Sequence, residues 1–475
     1  MKTTLLASLL LCASTFASAQ QMTYDLTKKQ PTYTQEGGFG YDLTKAPEKN
    51  SNDPFYFSVK VPDGNYRVTV TLGSKKKMGE TTVRAENRRL MVERCVTGKN
   101  KFETYSFLVH KHSVDIPAYT GANGKQTQPS KVKIKPRENG SLSWDEKLTL
   151  EFNGSSPCVK TITIEPENEA PTVYLCGNST VVDQAVEPWA SWGQMIPRWF
   201  DDKVCIANFA ESGLTTTTFM AQNRLEKILS MIRPGDYVIC EFAHNDEKEH
   251  GPGTGAWYHY TVALKKLTDL VKAKQGNVIM CTPTVRRAFE KDNKTVRETH
   301  GDFPEAMRTM AKREGLPVID LNKQSSLLLL HTGMGGSKHI YVQYPMGTFP
   351  WQTKAFEDNT HFTPFGAYEL SKLVVQELKN MDHPLAKHLR EDWTSFLSIQ
   401  MMLQCSTGHS PSSMMAQSQT ETNVSHQPFL PPPKERGMAT SNRYPPLCDK
   451  GEPLCQPLLR LIATVRTKLT TIYIK

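Results

Sequence analysis

The sequence predicts an α/β fold, a parallel sheet covered by helices on both faces, preceded by an all-β sandwich. Three observations carry it. From about residue 20 to 170, short alternating apolar runs are punctuated by turn residues, and no stretch has helical spacing. From about 171 to 382, strand-length apolar runs alternate with stretches whose apolar residues recur at three and four positions. At 475 residues the chain suits two domains and further material better than one.

Taken in order, residues 1–19 read as a signal peptide. Lys2 gives the positive start, residues 5–13 are apolar, and Ala17-Ser18-Ala19 fits the small-residue cleavage rule. The expectation is an exported protein, periplasmic or extracellular, cleaved after Ala19. No later apolar run is long enough to span a bilayer, so no stable membrane insertion is expected. The net charge of +9 is spread along the chain; Lys75-Lys76-Lys77 and Arg88-Arg89 read as solvated loop faces, and no nucleic-acid signature accompanies them. Residues 20–170 are assigned to the sandwich, with 55–61 and 66–72 alternating around Pro62-Asp63-Gly64-Asn65 in the pattern of a hairpin. Further strands are predicted at 81–85, 101–109, 131–135, 147–152 and 159–164.

Residues 171–393 are assigned to the α/β domain, with parallel strands at 173–176, 204–208, 237–241, 278–281 and 317–320. Leu225, Ile228, Leu229 and Ile232 mark one helix face, stopped by Pro234-Gly235; Tyr260, Ala263, Leu264, Leu267, Leu270 and Val271 mark another. Cys176, Cys205, Cys240 and Cys281 fall inside strand runs and read as small buried apolar groups. Residues 394–475 lack the periodicity of a packed domain and read as a disordered or atypical tail; pairing of its Cys448 and Cys455 is left open.

Four segments follow strand-like runs and carry chemistry: Gly177-Asn178-Ser179-Thr180, Glu211-Ser212-Gly213, His244-Asn245-Asp246 and Asp358-Asn359-Thr360-His361. A serine cleaves an ester only if one group takes its proton and others stabilise the oxyanion. Ser179 is the candidate nucleophile and His361 the candidate base, with Asp358 holding the other ring nitrogen; a spacing of three lets Asp358 and His361 lie in one loop, both turned inward. The oxyanion hole would use the N–H groups of Ser179 and Gly213 and the side-chain amide of Asn245. Such a route needs no metal or organic cofactor. Taken singly, Ser179 is also a plausible helix cap, and Asp358 with His361 a surface pair.

These residues resemble the SGNH, or GDSL-like, hydrolase superfamily, whose Ser, Gly, Asn and His match Ser179, Gly213, Asn245 and His361 in order. Within it the likeness is to rhamnogalacturonan acetylesterases. It rests on Gly177-Asn178-Ser179-Thr180, Ser191-Trp192-Gly193-Gln194, the Ser-Gly-x-Thr-Thr at 212–216, His244-Asn245-Asp246 and Thr282-Pro283-Thr284-Val285-Arg286-Arg287. The resemblance implies a flavodoxin-like three-layer α/β/α SGNH hydrolase domain, and for the preceding sandwich a galactose-binding-like module. It implies an exported serine carbohydrate esterase that removes acetyl groups from pectic polysaccharide. The partner would be acetylated pectic polysaccharide or oligosaccharide, with no nucleic acid.

One departure is the Gly-Asn-Ser at 177–179 in place of the usual Gly-Asp-Ser; Asn178 keeps the shape and a carbonyl acceptor. Arg286 and Arg287 are candidate substrate-binding residues, because a guanidinium forks onto a uronate carboxylate, or else a solvated pair. His244 is a further candidate for substrate binding or for a structural place behind the site. Trp189, Trp192 and Trp257 either stack on sugar rings or pack, with Trp192 expected to pack. Asn178-Ser179-Thr180 is formally a glycosylation sequon, which favours a bacterial source, since a glycan there would block Ser179. Two alternatives remain: a general lipase or arylesterase of the same superfamily, and a noncatalytic carbohydrate-binding protein.

Overall fold

A computed structural model describes residues 21–48 and 51–393. The expected signal peptide, with its cleavage site, and the tail from 394 lie outside the described residues. The first half of the chain forms β1 (Met22–Asp25), β2 (Phe39–Asp42), β3 (Phe55–Lys60), β4 (Gly64–Gly73), β5 (Gly79–Ala85), β6 (Arg89–Thr97), β7 (Phe102–Lys111), β8 (Asp115–Ile116), β9 (Ser130–Lys131), β10 (Lys147–Ser156) and β11 (Val159–Pro166). Two antiparallel sheets, ordered β1-β11-β4-β7 and β2-β3-β10-β5-β6, share one apolar core. Val68, Val70, Phe107 and Ile162 of the first meet Phe57, Val59, Val83 and Leu150 of the second, none more than 1% exposed.

The expected hairpin of 55–61 with 66–72 does not form. β3 pairs with β2 and β10, while β4 pairs with β11 and β7, so the turn between them steps from one sheet to the other. Alternation fixes which face of a strand is buried but not its neighbour, and both strands aim their apolar faces at the same core. Arg89 also departs from its solvated reading. It opens β6, is 1% exposed, and donates from Nε to Asp183 Oδ2 at 2.6 Å.

The second half begins with β12 (Thr172–Gly177), and continues through α1 (Trp192–Met195), β13 (Cys205–Asn208), α2 (Thr216–Ala221), α3 (Arg224–Met231), β14 (Tyr237–Glu241), α4 (Thr261–Ala273), β15 (Asn277–Cys281), α5 (Phe303–Glu314), β16 (Val318–Ile319), α6 (Leu321–Ile340), β17 (Tyr341–Tyr344), β18 (Phe356–Phe362) and α7 (Pro364–Asn380). The parallel sheet runs β13-β12-β14-β15-β16. Counted along the chain this is the 2-1-3-4-5 order of flavodoxin-like folds, whose ligands lie past the carboxyl ends of the strands where the order reverses.

Side chains alternate across this sheet, so its strands are apolar throughout. Val173, Leu175, Ile239 and Ile279 pack under α1, α6 and α7, whereas Tyr174, Cys176, Val238 and Cys240 pack under α2 to α5. The strand-borne cysteines are buried free thiols, as their positions suggested. Among the described residues no helix is long and apolar enough to cross a membrane.

Candidate active site

The carboxyl end of β12 carries the nucleophile candidate. Gly177 closes the strand where a side chain would be crushed: a Cβ there would stand 2.5 Å from Val181 Cγ2 and 2.8 Å from the Glu241 carbonyl oxygen. The chain then turns sharply. Asn178 Oδ1 accepts from the Thr180 N–H at 3.2 Å and from its hydroxyl at 3.0 Å, which is the acceptor role expected of Asn178 in place of aspartate. The same Thr180 hydroxyl lies 3.0 Å from Glu241 Oε1. Asn178 is wholly buried, so the fold has no room for a glycan at this sequon.

Ser179 Oγ lies 2.7 Å from His361 Nε2, and His361 Nδ1 lies 2.7 Å from Asp358 Oδ2. Asp358 Oδ1 also accepts the backbone N–H groups of Thr360 at 2.9 Å and His361 at 3.0 Å, and Trp189 Nε1 donates to Oδ2 at 3.3 Å. Burial alone would raise the Asp358 pKa, but the hydrogen bond and charge of His361 with the two backbone donors outweigh it and bring it down to about 2. Asp358 is therefore an anion that fixes the His361 ring through Nδ1, leaving Nε2 to exchange a proton with Ser179.

Asp358 and His361 stand on β18 and not in the loop expected for them. On a regular strand residues three apart face opposite sides. Here two residue steps on β17 (Tyr341 to Gln343) face five on β18 (Phe362 to Glu357). The extra residues bulge out of the ladder, and with this bulge the His361 side chain reaches Ser179 and that of Asp358 reaches His361.

The candidate oxyanion donors Gly213 and Asn245 follow two more strands, β13 and β14. Gly213 follows β13 at φ +77°, a left-handed conformation that favours glycine. Neither its N–H nor that of Ser179 has an acceptor among the described residues. Asn245 Nδ2 donates to the Leu214 carbonyl at 3.1 Å and Lys248 Nζ donates to Asn245 Oδ1 at 2.9 Å, so the amide is oriented and keeps one hydrogen free. The turn that presents Asn245 is strained at Ala243, φ +129°. Asp246 holds it by accepting from Ala243 N–H at 3.1 Å and Thr216 N–H at 2.8 Å. Unpaired N–H groups beside a nucleophile can receive the charge of a tetrahedral intermediate.

The remaining candidates divide. His244 is enclosed, with its ring edge-on to His300 at 4.5 Å, Nδ1 4.0 Å from Glu241 Oε1 and no hydrogen bond to either nitrogen among the described residues; burial holds its pKa well below the usual range. At 2% exposure it offers little surface to a substrate. Arg286 is neutralised by an ion pair with Glu247. Among the described residues Arg287 meets neutral acceptors alone, Ser337 Oγ at 3.0 Å, the Met334 carbonyl at 2.7 Å and Asn359 Oδ1 at 3.5 Å. Its own N–H donates to the Asn359 carbonyl at 2.8 Å, which ties it to the segment carrying Asp358 and His361. Trp192 is fully buried, as expected, with Nε1 2.5 Å from Glu241 Oε2. Trp257 is 54% exposed and donates to Asp302.

Glu241 and Asp246 were not singled out from sequence, although both tie the turns of the site together. Burial raises the pKa of Glu241, and that of Asp246 to about 6. The available signal was an acidic residue ending or closely following an apolar strand run, where a lone charge is costly unless hydrogen-bonded.

A family model, the GDSL-like Lipase/Acylhydrolase family, matches residues 175–367. Over 219 residues the chain is 34% identical to rhamnogalacturonan acetylesterase RhgT of Bacillus subtilis (strain 168), covering 46% of this chain and 93% of that protein. It is 31% identical over 186 residues to a rhamnogalacturonan acetylesterase of Emericella nidulans, covering 35% of this chain and 73% of the relative. Among solved structures, the YxiM protein of Bacillus subtilis aligns with a TM-score of 0.40 at 21% identity, covering 76% of this chain and 99% of that one.

Proposed function

The chain belongs to the GDSL-like lipase/acylhydrolase family of carboxylic ester hydrolases, and we propose that it removes acetyl groups from rhamnogalacturonan through an acetyl-Ser179 intermediate. The observation that carries the mechanism is the hydrogen-bonded series Asp358–His361–Ser179 beside the unpaired N–H groups of Ser179 and Gly213.

In the first half-reaction His361 Nε2 takes the Ser179 proton as Oγ bonds to the acetyl carbon. The carbonyl oxygen becomes an oxyanion held by Ser179 N–H, Gly213 N–H and Asn245 Nδ2. The C–O bond to the sugar then breaks, and His361 returns the proton to the sugar oxygen. In the second half-reaction water attacks the acetyl-enzyme with His361 again as base, releasing acetate and restoring Ser179. Imidazolium forms transiently in both halves, and the Asp358 carboxylate stabilises it.

The substrate reading rests on the acetylesterase relatives, with Arg287 as its local support. A cation with only neutral partners, next to the segment bearing His361, suits a uronate carboxylate. Arg286, already paired with Glu247, is the weaker candidate. The two sheets of the first half then form a separate sandwich domain, with export directed by residues 1–19. The test is acetate release from acetylated rhamnogalacturonan compared with hydrolysis of long-chain p-nitrophenyl esters. The proposal expects the acetylated polysaccharide to be the far better substrate by kcat/KM. A preference for long acyl chains would replace it with a lipase reading.

A further inference from the structure

The oxyanion turn Glu211-Ser212-Gly213 is gripped by residues that lie some 75 positions earlier in the chain, outside the segment matched by the family. Lys135 Nζ donates to the Ser212 carbonyl at 2.5 Å, and Arg137 donates to the same oxygen. Arg137 also binds Glu211 Oε1, from Nε at 2.7 Å. This arm is itself anchored. The Glu138 carboxylate accepts from Arg224 at 2.6 and 2.8 Å, from Trp144 Nε1 at 3.0 Å and from the Lys135 N–H at 2.8 Å.

The Ser212 carbonyl and the Gly213 N–H are the two ends of one peptide group. Two cationic donors on the oxygen have two consequences. They fix the peptide plane, so that the N–H end cannot rotate away from Ser179; Gly213, with no Cβ, would otherwise offer little resistance to that rotation. They also draw electron density toward the oxygen, which makes the N–H a stronger donor, as hydrogen bonds in series polarise one another. Donors preorganised before the reaction are the ones that lower its barrier.

We propose that Lys135 and Arg137, supplied by the N-terminal β-rich part of the chain, are positioning residues for the oxyanion hole, acting through the Ser212–Gly213 peptide. The inference rests on the reading of Gly213 N–H as an oxyanion donor. It gives the N-terminal part a share in catalysis besides any binding of carbohydrate.

The test uses the full chain with p-nitrophenyl acetate, a substrate too small to touch the arm by other means. Lys135→Met and Arg137→Gln should each lower kcat about tenfold and leave KM within twofold, less than the 10²–10³ lost with a whole donor. Lys135→Arg should restore most of the rate. Lys133→Met is the control: this lysine of the same segment donates to the Ala221 carbonyl instead, and its loss should leave kcat unchanged. The rate of inactivation by an organophosphonate should fall in step with kcat, because its phosphoryl oxygen occupies the same hole. The proposal is overturned if the Lys135→Met/Arg137→Gln double variant keeps kcat within twofold of the parent, if the loss falls on KM alone, or if it merely follows a fall in melting temperature. Any of these would leave the esterase reading intact, provided Ser179→Ala is inactive. An active Ser179→Ala would remove the reading itself.

Discussion

Asn245 spends one amide hydrogen on the Leu214 carbonyl, with its oxygen held by Lys248, and the other is free for the oxyanion role proposed for it. Asn245→Ala should therefore lower kcat by roughly 10²–10³ with a smaller change in KM, measured on any acetyl ester. A change confined to KM would make it a ground-state contact. Asp358 makes a different claim, about pH. Its pKa falls from 3.8 to about 2 in the folded chain. A lowered carboxylate pKa stabilises the fold above the unfolded value and loses that contribution as pH falls through the folded one. The stability advantage of the parent over Asp358→Asn should thus be constant above about pH 5 and shrink steadily toward pH 2. An advantage independent of pH in urea melts would mean that Asp358 is not held as a paired anion. Ser179, Gly213 and Asn245 stood out in sequence because each follows a strand-like run, whereas Asp358 and His361 stood out by their spacing and lie within β18. Glu241 and Asp246 escaped because their meaning lies in Thr180, Trp192, Thr216 and Ala243, partners that only folding brings near. The enclosure of His244 was invisible for the same reason.

Elements deliver these residues, and α7 shows how little slack they have. It starts three residues after His361, capped by Thr363, whose Oγ1 accepts the Gly366 N–H at 3.0 Å. A Cβ on Gly366 would stand 2.0 Å from the Ile340 carbonyl oxygen at the end of α6, a clash with backbone that cannot swing aside. Gly366→Ala should cost about 1–3 kcal/mol of stability and lower kcat by dragging His361 off Ser179. Denaturant midpoints and kcat measured together check this, and an unchanged kcat at reduced stability would uncouple α7 from the site. The central strands were legible to within a residue or two, since a run buried on both faces is apolar throughout. Pairing was not legible. The supposed hairpin of β3 and β4 has the right alternation and the right turn, yet its strands sit in different sheets. The bulge of β18 was likewise hidden, because a bulge is a property of two strands in register and not of one sequence run.

Over the whole molecule, the two halves are joined by ion pairs: the buried pairs Arg89 with Asp183 and Arg224 with Glu138, and buried Lys227 with the more exposed Asp63. Arg224 is fully buried, so Arg224→Met would strand the Glu138 carboxylate and should cost about 3–5 kcal/mol. Adding Glu138→Leu should recover much of that loss in the urea midpoint, and no recovery would argue against a buried pair. Arg89, expected on a solvated loop face, is 1% exposed. A basic residue is exposed by default, and only the opposite charge from the other half makes burial tolerable. All of this serves one claim, that Ser179 is the nucleophile of an acetyl esterase. The most direct test measures acetate release from acetylated rhamnogalacturonan by the parent chain and by Ser179→Ala, with the melting temperature of each. The account predicts a fall of at least ~10⁴ in the variant at unchanged melting temperature. Acetate release at a comparable rate from Ser179→Ala would contradict it.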